Sequence, residues 1–85
     1  MQQHIYYTKY ALQFADMQIP ELVTVFNSQV GHTGWTSMRA YHDRALIDEF
    51  QRRGINVSSI YNGKAISFAR PIGYDLYTNT IHIIS

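Results

Sequence analysis

The chain has 85 residues, 46% of them apolar, and seven Lys and Arg against six Asp and Glu leave a net charge of +1. That length holds one domain, residues 1–85, with a single modest core. So even a balance does not by itself supply the basic face that nucleic-acid binding calls for, and the absence of Cys excludes disulfides, Zn-thiolate sites and a thiol nucleophile.

Seven of the twelve aromatic residues are Tyr, which gives a small core bulk while its hydroxyl stays wet at the rim. The first residues show no basic segment followed by a long apolar run, and no run approaches the roughly 20 apolar residues that span a bilayer. The expectation is a cytoplasmic protein with no membrane contact.

Residues 4–14 alternate. Tyr6, Thr8, Tyr10, Leu12 and Phe14 fall on one side, and Ile5, Tyr7, Lys9, Ala11 and Gln13 on the other. A period of two with abundant aromatics predicts a strand with one buried face. Pro20 suits a helix's first turn and Glu21 its positive end, and Leu22, Val25, Phe26 and Val30 recur at helical spacing. Gly31 can adopt the left-handed conformation that ends a helix, so a helix is predicted over 20–30.

The glycines and hydroxyls of 31–37 read as a loop that carries the single Trp. The stretch 35–41 allows either an extended piece or the start of a helix with Ser37 near its cap; the preferred reading is one helix from about residue 38 to Arg53, stopped by Gly54. Its buried stripe is Leu46, Ile47 and Phe50, and backward extension places Asp43 and Arg39 on the same stripe. These two are four apart and can pair. The outer face has Arg44, Asp48 and Arg52 at spacings of four, with Glu49 four before Arg53, a pattern that stabilises a solvated helix.

Residues 55–61 read as a strand, Asn62-Gly63 as a two-residue hairpin turn that pairs Tyr61 with Lys64, and 64–68 as the return strand. A second hairpin follows, Ile72 to Tyr77, a turn at Thr78-Asn79, and Ile81 to Ile84. The predicted fold is α+β, two helices packed on one face of a small, mainly antiparallel sheet, in the order β-α-α-β-β-β-β.

Chemistry-bearing patterns are sparse. His4, His32, His42 and His82 share no metal-ligand spacing, and adjacent His42 and Asp43 diverge by about 100° on a helix. There is no nucleophile elbow, phosphate loop or dinucleotide fingerprint. No catalytic residue, metal or cofactor is predicted.

The expected function is a non-enzymatic interaction domain that binds a protein partner or a second copy. The candidate contact surface is His32, Trp35, Arg39, His42 and Asp43, and sheet edges at His4–Phe14 or Ile81–Ile84 offer strand pairing. The alternative is a winged-helix-like nucleic-acid-binding module that would use Arg39, Arg44, Arg52, Arg53 and Lys64.

Overall fold

A computed structural model describes residues 4–31 and 36–84. Three helices come first, α1 (Ile5–Ala15), α2 (Ile19–Ser28) and α3 (Ser37–Arg52), followed by two short strands, β1 (Ile72–Asp75) and β2 (Thr80–Ile83). The strands form one antiparallel hairpin in which Ile72 faces Ile83 and Asp75 faces Thr80. The fold is α+β, but the expected order β-α-α-β-β-β-β is overturned: the described residues hold three helices rather than two, and a two-stranded hairpin rather than a five-stranded sheet.

The first correction is α1. Residues 4–14 were expected to be a strand, yet the same residues also satisfy the helical period. Tyr7, Tyr10, Ala11 and Phe14 recur at three and four, and they are the ones that pack on the core. His4 caps the helix, its Nδ1 accepting from the Tyr6 N–H at 3.2 Å. A helix meets its hydrogen bonds locally, whereas a strand here would need a partner strand.

The second correction is the segment 55–68. Only its first residues pair with the hairpin. Asn56 N–H donates to the Asn79 carbonyl, and Ile81 N–H donates to the Asn56 carbonyl, both at 2.9 Å. The chain then turns at once, with Ile60 and Tyr61 N–H both donating to Val57 O. Asn56 Oδ1 accepts from Ser58 N–H and Ser59 Oγ donates to Ile81 O, so side chains here replace a backbone ladder.

At Asn62-Gly63 the pairing is Tyr61 with Ile66 instead of Tyr61 with Lys64. Asn62 Oδ1 accepts from both Lys64 N–H and Ala65 N–H, and only Gly63 takes a positive φ, +95°. The expected turn requires positive φ at both positions, and the asparagine side chain closes a longer loop in its place.

The remaining elements follow the sequence closely. Glu21 accepts from the N–H of Gln18 at the start of α2, and Leu22 and Phe26 are buried. In α3, Thr36 supplies the cap rather than Ser37, its hydroxyl accepting from Arg39 N–H at 3.1 Å. Gly54, at φ +75°, ends α3. Gly54 N–H reaches Gln51 O and Ile55 N–H reaches Phe50 O, with Phe50 and Ile55 both buried. That is the Schellman arrangement.

α1 lies beside α3 and runs the same way, since His4 stacks on Tyr41 near both starts and Arg53 meets the carbonyl of Phe14 near both ends. α2 packs on β1. The two are fastened by Asn27, whose amide donates to Ile72 O at 3.1 Å and accepts from Ile72 N–H at 2.8 Å. Between the layers sit Phe14, Leu22, Phe26, Leu46, Ile47, Phe50, Ile72 and Ile81, all essentially without solvent contact. No helix among the described residues is long and apolar enough to cross a membrane.

Candidate functional site

α3 is the centre of the fold, and its buried positions Asp43, Ala45, Leu46, Ile47, Glu49 and Phe50 wrap around most of its circumference. Of the five residues expected to form a contact surface, Arg39, His42 and Asp43 lie on its first three turns and come together. His32 and Trp35 lie outside the described residues.

Asp43 is 6% exposed. One carboxylate oxygen meets Arg39 Nε at 3.4 Å, and the other meets His42 Nδ1 at 3.1 Å. The divergence of neighbouring side chains on a helix therefore does not keep His42 and Asp43 apart, because the carboxylate reaches round to the ring. The His42 ring is held edge-on to Tyr10 and Phe14 at 5.0 and 5.2 Å. Arg39 also donates to Gln29 O at the end of α2 and lies 5.4 Å from the Phe68 ring centre, which itself stacks on Phe26. Asp43 thereby orients two side chains of its own helix, His42 against α1 and Arg39 toward the end of α2.

The second group of cations is equally engaged. Arg44 pairs with Asp48 at 3.3 Å and donates to the Tyr61 hydroxyl at 2.8 Å. Tyr7 donates to the other oxygen of Asp48, and burial, reinforced by this carboxylate, pushes the Tyr7 hydroxyl up to about 12. Arg52 pairs with Glu49, three before it, rather than with Asp48. Burial raises the Glu49 carboxyl, but the hydrogen bonds and charges of Arg52 and Arg53 outweigh it and hold the group below its usual range.

Arg53 goes further than its ion pair. Its guanidinium donates to Phe14 O at 3.1 Å and Met17 O at 2.6 Å, at the end of α1. Carbonyls left over at a helix end carry partial negative charge, and a cation there satisfies both needs. Arg39 and Arg53 thus close the ends of α2 and α1 from opposite ends of α3, about 21 Å apart at 1.5 Å per residue. They do not form one basic patch. Lys64 is exposed in the 62–65 loop, on a different element. Among the described residues no three of His, Cys, Asp and Glu gather as metal ligands.

What the sequence did not suggest is the tip of the hairpin. Strand β1 ends at Asp75, not Tyr77, and residues 76–79 form the turn. Leu76 is 75% exposed and Tyr77 98% exposed. The backbone beneath them is firmly tied. Asp75 Oδ1 accepts from Tyr77 N–H, Thr80 Oγ1 donates to Thr78 O, and Asn79, at φ +52°, joins Tyr74 and Gly54 through its side chain.

Beside the tip lies an open cleft of about 700 Å³ between the α1–α2 turn, the end of α3 and β1. Met17, Ile19, Pro20, Tyr74 and Leu76 line it together with the charged Asp16, Arg52 and Arg53. A turn flanked by Asp75 and Asn79 with two large apolar residues inside it was the available signal.

Both expected strand edges are corrected in part. His4–Phe14 is helical apart from its cap and offers no edge. On β2, Ile81 is already occupied by Asn56 and Ser59, which leaves only the stretch from Ile83 open. Comparison with protein families, with curated proteins and with solved structures gave no match for this chain.

Proposed function

We propose that this chain is a small non-enzymatic interaction domain, working in the cytoplasm, that binds a protein surface, either a partner's or that of a second copy. The observation that carries the reading is the hairpin tip. Leu76 and Tyr77 contribute nothing to the core, yet a hydrogen-bonded turn fixes the backbone that carries them into water. An aromatic on such a backbone has only its own two torsions to lose on binding, and Tyr is enriched among interface anchors.

The outer side of α1 adds Ile5 and Leu12, 74% and 68% exposed. Arg39, Arg44, Arg52 and Arg53 each have intramolecular partners, and α3 is the least accessible helix rather than one free to enter a groove. A nucleic-acid role through these residues and Lys64 is accordingly the weaker reading, although three helices before a hairpin resemble a winged-helix order.

The test is site-specific photocrosslinking. With a benzophenone amino acid at position 77 of the full chain in cells, the expected product is a protein adduct that is lost when Leu76 is also changed to Ser. No protein adduct from position 77 would refute the reading. So would salt-sensitive binding of duplex DNA with shifts centred on residues 39–53 and 64.

A further inference from the structure

We propose that the occupant of the cleft at the α1–α2 turn is the Leu76–Tyr77 tip of a second copy of this chain, exchanged reciprocally about a two-fold axis. The inference rests on the reading of the tip as a binding element and names its partner.

Three observations converge. The tip is a projecting knob, with Tyr77 98% exposed on a turn whose backbone is hydrogen-bonded to Asp75. The cleft beside it is a broad, open hollow of about 700 Å³, lined by Met17, Ile19, Pro20 and Tyr74 together with the charged Asp16, Arg52 and Arg53. Knob and hole share one face, because Leu76 is both part of the tip and part of the wall. An isologous contact requires a surface complementary to itself. A knob adjoining its own hole meets that condition, since an axis passing near Leu76 seats both Tyr77 side chains at once and leaves no open end for further addition.

The polar chemistry also matches. A buried Tyr hydroxyl needs a partner. The exposed Asp16 carboxylate lines the cleft, and the phenol O–H can donate to it.

Each tyrosine covers roughly 150–250 Å², and the walls that it touches lose a similar area. The total, on the order of 800 Å², falls among weak, concentration-dependent contacts. A dissociation constant between about 1 μM and 1 mM is expected.

Two measurements test this. Sedimentation equilibrium of the full chain up to about 1 mM, the upper end of the expected range, should show a monomer–dimer equilibrium. Tyr77→Ser should weaken it at least tenfold, about 1.4 kcal/mol, and Tyr77→Phe by less. Because the chain lacks Cys, Tyr77→Cys and Asp16→Cys variants can be mixed under oxidising conditions. The mixed disulfide between them should exceed both same-variant disulfides.

A wild-type chain that stays monomeric at that concentration, an undiminished Tyr77→Ser dimer, or no excess of the mixed disulfide would overturn the exchange. Photocrosslinks from position 77 to an unrelated protein alongside a monomeric chain would overturn it too, while leaving the interaction-domain reading standing.

Discussion

Replacing Arg53 by Met keeps the aliphatic stem and removes the guanidinium. In the native chain that group holds the 5%-exposed Glu49 and the carbonyls of Phe14 and Met17. Breaking a buried ion pair by removing one partner costs about 3–5 kcal/mol when nothing else compensates. Here Arg52 remains on Glu49, but it is 63% exposed at its side chain and is held less firmly. The carbonyls at the end of α1 lose charge-assisted bonds worth about 1.5–3 kcal/mol each at most, part of which water restores.

The expected loss is therefore about 2–4 kcal/mol, well beyond the few tenths typical of a surface arginine. At a urea slope of about 1–3 kcal/mol/M the unfolding midpoint should fall by roughly 1–4 M. Glu49→Gln in the same chain should recover part of the loss, because the stranded charge is gone, and the double-mutant cycle should give a coupling of about 1–3 kcal/mol. A midpoint within the error of wild type for Arg53→Met would refute the idea that this arginine is a fastener, and would return it to the pool of residues available to a ligand.

Tyr7, raised to about 12 by burial and by Asp48, should deprotonate only in strong alkali. Since the unfolded value is near 10, its contribution to stability is whole below pH 10 and disappears as pH rises from 10 through 12. A tyrosinate absorbance titration should show a late component that is absent in Tyr7→Phe; its persistence there would assign it elsewhere. Asn27→Ala frees both backbone groups of Ile72 and should cost about 1–3 kcal/mol, with hydrogen exchange at Ile72 accelerated before that of the α3 amides. Phe50→Ala opens a void where the side chain has no solvent contact and should cost about 3–5 kcal/mol in a denaturation midpoint assay; a cost below about 1 kcal/mol would mean that the core has collapsed into the gap.

What could be read from residues alone was what rests on local chemistry. Pro20-Glu21, Gly54 and the stripe Leu46-Ile47-Phe50 mark α2 and α3 within a few residues, and the spacing of Arg39 and Asp43 announces their pairing. Residues 5–14 were not legible because Tyr has high strand propensity and its positions serve periods of two and 3.6 equally well. That error hid a second one. With α1 taken as a strand, Arg53 had no helix end to close, and so only its pairing with Glu49 was visible. Tyr77 was concealed because the expected strand was carried through it to a turn at Thr78-Asn79, although Asp75 turns the chain two residues earlier. The segment 55–61 failed for a different reason, in that serine and asparagine side chains outcompete the ladder that its apolar residues suggest.

The pair of hydrogen bonds between Asn27 and Ile72 joins residues 45 apart in sequence. Closing so long a loop is slow relative to winding a helix, and two of the fully buried side chains, Ile72 and Ile81, arrive only with the hairpin. Helices can therefore form and dissolve many times before the hairpin docks to hold them. Until it docks, the core that Ile72 and Ile81 complete is open on one side, so docking of the hairpin is the step that commits the chain to its fold.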